Sequence, residues 1–260
     1  MGANTFNETH QITFYETDVT NTVTPSMLIN MIILASEDQT TSLGVGSDVV
    51  SQLGIGWVVT QYKIDITRMP QVNETITLTT RATCYNRYFA FREFWVHDEA
   101  GNECVHVESI WVTMNYESRK IVTIPEAIIK PFESEQVKMI PRLGRPKRLT
   151  DADQVMTKQY GVRYFDIDGN GHVNNSRYFD WLLDALPMSF LTRHDLVSLN
   201  IRFENEVQYH HTVTSEAALV TDVTSSITTK HRITMADGEV ATEAECRWVP
   251  KQTATEPQTD

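Results

Sequence analysis

The sequence predicts an α+β protein with two similar units in tandem, each a long curved antiparallel sheet wrapped around one central helix. Three observations support this prediction. A helical pattern followed by a series of strand patterns occurs twice along the 260 residues. A shift of 150 residues aligns the two helix entries, pairing Asp18 with Asp168 and Ser26 with Ser176. The first helix is apolar nearly all round, so it needs a surrounding layer to bury it.

In the first half, one short strand and one helix precede the main run of strands. Residues 10–15 alternate polar and apolar side chains and predict a strand. Pro25 and Ser26 open a helix that extends to about Leu43 and is closed by Gly44. β-Branched and aromatic runs then predict strands at 57–67, 74–83, 87–97 and 104–114, with a last short strand at 121–124.

The second half repeats this order. A strand is predicted at 157–165, and polar residues 174–176 can cap the helix that follows. Pro187 ends this helix. Its apolar face recurs at helical spacing through Tyr178, Trp181, Leu182 and Ala185. Further strands are predicted at 196–207, 213–223, 226–235 and 239–249.

The repeat divides the chain into an N-terminal unit (1–133), a basic linker (134–150), a C-terminal unit (151–250) and a polar, disordered tail (251–260). The linker carries five cations against one anion, Glu135. It is either a solvated connection or a docking patch for an acidic partner. The five cations are Lys138, Arg142, Arg145, Lys147 and Arg148.

Composition and charge argue against several classes of protein. The formal net charge of −12 at pH 7 argues against nucleic acid and against an anionic membrane surface as the main partner. No stretch approaches the roughly 18 apolar residues of a membrane-spanning helix, and no targeting segment is recognised, so we expect a cytoplasmic protein. Cys84, Cys104 and Cys246 are scattered without metal-binding spacing, which predicts reduced thiols and no metal site.

The candidate active centre is the polar segment at the entry to the second helix. Asp166, Asp168, Asn170 and His172 occupy every second position, so in an extended run they project from one side. The N-terminus of a helix presents unpaired N–H groups and a partial positive charge, which can stabilise a developing oxyanion. This arrangement suits acyl chemistry, and the isolated carboxylate of Glu206 on a later strand can complete it.

The first copy of this segment lacks the same chemistry. Thr20 stands where Asn170 is, and Thr22 stands where His172 is. Aligning the strands that follow places Arg68 opposite Glu206. We therefore expect a catalytic C-terminal half and an N-terminal half that is free to bind substrate.

A calcium-binding loop and a simple helix cap are two other interpretations of the segment. It begins like a calcium-binding EF-hand loop, but the twelfth position holds Arg177 instead of a bidentate glutamate, and no helix precedes it. Asn170 and His172 could alternatively only cap the helix. No cysteine lies in the segment, and neither a G-x-S-x-G elbow nor a nucleotide-binding glycine motif occurs, so water activated by His172 and a carboxylate is the favoured nucleophile.

From residue 166 the segment reads DIDGNGHVNNSRYFDWLLDALP, which resembles the D-x-D-x-N-x-H-V-N-N-x-x-Y-x-x-W signature of the fatty acyl-acyl carrier protein thioesterases. The resemblance covers roughly residues 5–250 and implies two tandem hotdog domains. It carries the catalytic roles over to Asp168, Asn170, His172 and Glu206. Plant members have a cysteine after the glutamate, whereas Val207 stands here, which removes a thiol mechanism for this chain.

The resemblance also implies a partner and a substrate. The partner would be an acyl carrier protein carrying a fatty acyl thioester, attracted by the linker cations, and a homodimer is compatible with the sequence. No cofactor is implied. Acyl-coenzyme A thioesterase activity and non-catalytic acyl binding remain as alternatives. The acyl chain is expected against Met27, Met31, Ile32, Trp57 and Val59 in the N-terminal half.

Overall fold

The computed structural model describes residues 2–169, 171–221 and 226–251, and it confirms the α+β architecture. The helices pack against a single antiparallel sheet in which ten strands follow the order β1-β3-β4-β5-β2-β9-β12-β11-β10-β8. The strands are β1 Thr5–Gln11, β2 Ile55–Ile66, β3 Thr75–Tyr85, β4 Phe89–His97, β5 Glu103–Asn115, β6 Ile121–Val122, β7 Glu135–Gln136, β8 Met156–Gly161, β9 His194–Phe203, β10 Thr212–Thr221, β11 Ile227–Met235 and β12 Val240–Pro250. The helices are α1 Pro25–Ser42, α2 Ser47–Gln52, α3 Glu126–Ile129, α4 Asn175–Leu183 and α5 Met188–Leu191.

The two strands that precede the main helices end earlier than the sequence predicts. The strand expected at 10–15 is β1, which pairs with β3 and ends at Gln11. Phe14–Glu16 then forms a 3-10 turn, because Glu16 folds back to accept the N–H of Thr13 at 2.7 Å. In the second half, a 3-10 turn likewise replaces the end of the predicted strand: β8 ends at Gly161 and Tyr164–Asp166 forms the turn.

Three short helices are not predicted from the sequence, and two predicted segments extend outside the described residues. α2, α3 and α5 contain only four to six residues, too few for a helical period to show in the sequence. The strand predicted at 213–223 is β10, which is described as far as Thr221; residues 222–223 lie outside the described part of the chain. Residues 252–260, most of the predicted disordered tail, lie outside it as well.

The two halves share one hydrophobic core. α1 and α4 pack against each other, and the cluster includes buried side chains from both halves, among them Leu28, Ile32 and Leu182. The rings of Tyr62 and Phe179 lie 6.2 Å apart between centroids, and both side chains are fully buried. The N-terminal and C-terminal units are therefore packed together across a common apolar interface.

The helix entries of the two halves superimpose with the predicted shift of 150 residues. An isolated bridge pairs Thr17 with Val23, and its counterpart pairs Ile167 with Val173. The 3-10 turns and the first residues of α1 and α4 follow the same shift. The predicted duplication is thus visible in backbone hydrogen bonding as well as in sequence.

The predicted pairing of Arg68 with Glu206 is wrong by one residue. The matched backbone hydrogen bonds are Val23 N–H to Pro70 O (2.9 Å) and Val173 N–H to Val207 O (3.0 Å). These bonds make Pro70 the counterpart of Val207, so Met69 stands opposite Glu206. The first copy still lacks the carboxylate.

The linker crosses the seam where the two halves meet. Gln61 on β2 donates to Gly144 O at 2.6 Å and to Asn200 Oδ1 on β9 at 2.8 Å. Asn200 in turn donates to Leu143 O at 3.3 Å, and Leu143 is buried. The linker is therefore fastened to both halves instead of running freely through solvent.

In the described part of the chain, no helix is both long enough and apolar enough to cross a membrane.

Candidate active site

A buried carboxylate shapes the loop that carries the candidate catalytic residues. Asp166 is 1 % exposed and accepts hydrogen bonds from Arg163 through its N–H (2.9 Å), Nε (3.2 Å) and Nη2 (2.7 Å). Burial would raise the pKa of Asp166, but these bonds and the nearby positive charge outweigh it and lower the pKa. The Asn174 N–H also donates to Asp166 O at 2.8 Å, which closes the loop in front of α4. Asp166 thus fixes the shape of the loop.

The loop turns tightly between Asp168 and His172. Asp168 N–H donates to His172 O at 2.9 Å, and Gly171 N–H donates to Asp168 O at 3.0 Å. Gly171 has a φ of +83°, a conformation that glycine adopts at little cost. Asp168 and His172 both line a cavity of about 1240 Å³, whereas Asn170 lies outside the described residues.

His172 and Glu206 meet at the cavity although 34 positions separate them in the sequence. His172 Nε2 lies 3.3 Å from Glu206 Oε2. The His172 side chain is 20 % exposed and that of Glu206 is 32 % exposed, so both are partly desolvated yet reachable from solvent. An imidazole and a carboxylate this close together can act jointly on one water molecule bound beside them.

The position of Glu206 is fixed through its neighbour Val207. The Val207 N–H donates to the Tyr178 hydroxyl at 3.1 Å, and the Val207 carbonyl accepts from the Val173 N–H at 3.0 Å. Tyr178 lies in α4, and Val173 lies in the loop that precedes this helix. Burial raises the pKa of Tyr178, so the phenol stays protonated. The loop that carries Glu206 is consequently held against the loop that carries His172.

The structure adds one residue that the sequence did not reveal. Arg119, from the turn between β5 and β6, forms an ion pair with Glu206, and its Nη2 lies 3.1 Å from His172 Nε2. Comparing the two copies cannot find such a residue, because it reaches from one half into the other half's site.

The start of α4 offers hydrogen-bond donors beside this group. α4 has nine residues, and Asn174 caps it by accepting the Ser176 N–H at 3.1 Å. Asn174 and Asn175 line the cavity together with His172. The partial positive charge of a helix N-terminus therefore lies beside the candidate catalytic side chains.

A cavity of about 1240 Å³ extends from these residues into the N-terminal half. It lies where residues 55–60 of β2 continue past the pairing of β2 with β9, so side chains from both faces of β2 contribute. Its apolar lining includes Trp57, Val59, Ala82, Ala90, Ile129 and Phe132. An elongated apolar group can be buried there with its reactive end at His172.

The five side chains expected to contact an acyl chain divide into two groups. Trp57 and Val59 line the cavity. Met31 and Ile32 are buried in the main core, and Met27 packs against that core. α1 directs these three toward the core, while a neighbouring face of the helix reaches the cavity through Ile33, Ser36 and Glu37.

The five linker cations also differ in their surroundings. Lys147 and Arg148 pair with two carboxylates of β12, at 3.3 Å to Glu245 and 2.8 Å to Glu243. Arg142 and Arg145 line the cavity, and no salt bridge joins either of them to another described residue. Lys138 is exposed.

The cysteines lie away from this chemistry. All three are buried, unpaired, and absent from the cavity lining. Burial raises the pKa of Cys246 and disfavours its thiolate. Across residues 2–169, 171–221 and 226–251, no group of three or more His, Cys, Asp or Glu side chains is arranged to hold a metal ion.

Known proteins share both the sequence and the fold. Residues 3–132 match the acyl-ACP thioesterase N-terminal domain, and residues 149–250 match the C-terminal domain of the same family. A crystal structure described as a candidate oleoyl thioesterase from Lactobacillus plantarum is 46 % identical, with a TM-score of 0.94 over 96 % of this chain and 98 % of that one.

More distant relatives come from plants. A chloroplastic acyl-[acyl-carrier-protein] hydrolase of Cuphea viscosissima is 25 % identical over 225 residues, which is 82 % of this chain and 55 % of that protein. This chain thus spans about half the length of that relative. The 12:0-ACP thioesterase from Umbellularia californica, 21 % identical, shares the fold with a TM-score of 0.84 over 95 % of this chain and 94 % of that one.

The two family matches fall on the two halves of the molecule, and together they account for most of its length. The architecture is that of two tandem hotdog domains, as the resemblance of the 166–187 segment implied. The chain therefore belongs to the acyl-acyl carrier protein thioesterase family.

Proposed function

We propose that this chain hydrolyses the thioester of fatty acyl-acyl carrier protein and releases a free fatty acid. The observation that carries the proposal is the contact of His172 with Glu206 at the mouth of an apolar cavity. An acid–base pair is needed for hydrolysis, whereas acyl binding alone requires none. Family membership points to the same reaction.

In the proposed mechanism, a water molecule held by Glu206 and His172 attacks the thioester carbonyl carbon and gives up a proton to this pair. The carbonyl oxygen becomes anionic and is stabilised at the start of α4. The C–S bond then breaks, and the proton passes to the departing thiolate. Asn170 is proposed as a further donor to the oxyanion, and Asp168 as the residue that orients Asn170 or His172.

The fatty acyl chain is proposed to lie in the cavity within the N-terminal half. Trp57 and Val59 line the part nearest β9, and Ala82 and Ala90 line the part nearest β3 and β4. The N-terminal unit would then bind the chain while the C-terminal unit performs the chemistry. This assignment agrees with the prediction made from the first copy, which lacks the candidate catalytic residues and is therefore free to bind substrate.

The acyl carrier protein is proposed to dock beside the cavity through Arg142 and Arg145, with Lys138 nearby in sequence. Arg142 and Arg145 line the cavity and have no salt-bridge partner among the described residues, so their charges are available to an acidic partner. Lys147 and Arg148 are paired to β12, so they contribute less to docking. Cytoplasmic location and a homodimer stay predictions.

Reversing two of the free charges, with Arg142→Glu and Arg145→Glu together, is expected to raise KM for acyl-acyl carrier protein about tenfold at low salt. The cause is the loss of long-range attraction, so KM of the variant should also depend less on ionic strength. Steady-state kinetics across a salt series measures both effects. Arg247→Glu, which reverses one charge at an exposed site away from the cavity, is the control for charge reversal by itself and should behave like the wild type.

The proposed function is tested by giving the purified chain matched acyl-acyl carrier protein and acyl-coenzyme A substrates and measuring released thiol. Faster hydrolysis of the carrier-protein substrate is expected. Preference for the coenzyme A thioester would instead make the chain an acyl-coenzyme A thioesterase. Binding of either substrate without thiol release would leave a non-catalytic acyl-binding protein.

A further inference from the structure

Arg119 belongs to the N-terminal half but contacts the proposed catalytic pair of the C-terminal half. Its guanidinium forms an ion pair with Glu206, and its Nη2 lies 3.1 Å from His172 Nε2. The two groups that it contacts are themselves 3.3 Å apart. One nitrogen of Arg119 therefore lies against both the imidazole and the carboxylate.

The turn that carries Arg119 is well fixed. The Arg119 N–H donates to Asn115 O at 3.0 Å, and Asn115 Oδ1 accepts the Ser118 N–H at 2.9 Å. The turn is also anchored to the residue just before β2, because Tyr116 N–H donates to Gly54 O at 3.0 Å. Arg119 itself has a φ of +53°, which is uncommon for a residue with a side chain and sets the direction in which the guanidinium leaves the turn.

The chemistry of a guanidinium decides what this contact does to His172. Arginine only donates hydrogen bonds, so His172 Nε2 must accept. The imidazole proton is then on Nδ1, and the Nε2 lone pair is directed at the Arg119 N–H. A base that accepts a proton from water needs this tautomer at this nitrogen.

The same contact restrains Glu206. This side chain is 32 % exposed and follows the end of β9, in a segment with no strand partner among the described strands. A glutamate in such a place can sample several rotamers, and an ion pair reduces this freedom. Displacement of a catalytic group by about 1 Å costs around a hundredfold in rate, so the orientation of Glu206 has a large expected effect.

We propose that Arg119 is a positioning residue for the thioester hydrolysis, holding Glu206 and the neutral tautomer of His172 in one arrangement. The catalytic site is then incomplete without the N-terminal half, which supplies this cation in addition to the acyl cavity. The proposal rests on the proposed function for its kinetic test, and on the geometry alone for its spectroscopic test.

The kinetic test compares Arg119→Ala and Arg119→Lys with Lys120→Ala. Lys120 is an exposed cation in the same turn, which makes its removal the matched control. We expect Arg119→Ala to lower kcat about 10- to 100-fold with little change in KM, because Arg119 orients groups of the enzyme and not the substrate. Arg119→Lys should retain an intermediate kcat, and Lys120→Ala should match the wild type.

Chemical rescue separates positioning from a purely structural role. Added guanidinium should restore part of the kcat of Arg119→Ala and none of that of His172→Ala, with both variants unfolding at the wild-type temperature. An unchanged or raised kcat in Arg119→Ala would overturn the proposal, since the arginine would then be neutral or restraining. A fall in kcat that is accompanied by a lower unfolding temperature and is not rescued would overturn it equally.

The spectroscopic test does not depend on turnover. In ¹⁵N-histidine spectra, His172 of the wild type should show the tautomer protonated on Nδ1, and Arg119→Ala should lose this preference. A wild-type His172 protonated on Nε2 would refute the proposal. If the wild type releases no thiol from any acyl carrier while these spectra behave as expected, the proposed function fails and the positioning role of Arg119 stands.

Discussion

His172→Ala is expected to lower kcat for acyl-acyl carrier protein hydrolysis by about a hundredfold to ten-thousandfold, the usual effect of removing a positioned acid–base group. The imidazole lies 3.3 Å from Glu206 at the cavity mouth, and no other histidine lines this cavity in the described part of the chain. KM should change little, because the proposed contacts with the acyl chain and the carrier protein lie elsewhere.

Glu206→Gln tests the partner in the same pair. The substitution keeps the shape of the side chain and removes its charge, so a comparable fall in kcat is expected. The double variant should be little worse than either single variant, because two residues that act as a unit give strongly non-additive losses. Losses that multiply instead would mean that the two residues act in separate steps.

The duplication supplies a matched control for these variants. Thr22 occupies the position of His172 in the first copy, and it lies in a loop with the same backbone hydrogen bonding. Thr22→Ala should leave kcat unchanged. If His172→Ala and Glu206→Gln both hydrolysed the substrate at the wild-type rate, neither residue could have the proposed role.

The helix entries and most strands of both halves could be predicted from sequence because each depends on local pattern. The strand predicted at 196–207 is wrong at its end, since β9 ends three residues before Glu206 and leaves that residue in a loop. The shift of 150 residues that aligns Asp18 with Asp168 holds in the structure because these loops close through the same short-range bonds. The pairing opposite Glu206 was wrong by one residue for the opposite reason. Its register is set by a backbone contact between Val173 and Val207, and no local pattern records that contact.

In the candidate site, too, residues grouped in one segment could be predicted, whereas a residue brought in by packing could not. Asp168, Asn170 and His172 lie in one short segment, so their spacing alone marks them as candidates. Arg119 lies in a turn with no motif, and its relation to the site depends on how the two halves pack. The acyl contacts expected on α1 illustrate a further limit. Sequence marks Met31 and Ile32 as apolar, but it does not tell whether an apolar side chain faces the core or a cavity.

The joining of the two sheets explains how one site draws on both halves. β2 and β9 pair only over residues 61–65 of β2, and the linker covers this seam through Gln61 and Asn200. Beyond the pairing, β2 continues with β5 as its only strand neighbour among the described residues and leaves the space that becomes the cavity mouth. The Glu206 loop begins at the same point on β9. The cavity and the proposed catalytic pair therefore adjoin as a consequence of where this strand pairing ends.

Ala90→Phe is expected to shift the preferred substrate toward shorter acyl chains. Ala90 lies on β4, three strand spacings or about 14 Å from β9, so it lines a part of the cavity remote from Glu206. Each buried methylene contributes about 0.8 kcal/mol, so excluding about three of them costs roughly 2 kcal/mol. For long chains this corresponds to a fall in kcat/KM of about 30-fold, while chains that end before Ala90 should be unaffected.

Hydrolysis of a series of saturated acyl-acyl carrier proteins measures this shift. The ratio of long-chain to short-chain kcat/KM is the readout, because a loss of folded protein from overpacking lowers both values equally and leaves the ratio unchanged. Ala90→Val should give a smaller shift in the same direction. Phe132→Ala, which enlarges the lining beside Ile129, should move the preference toward longer chains. A ratio that stays constant across all three variants would place the acyl chain outside this cavity, whatever their effect on the overall rate.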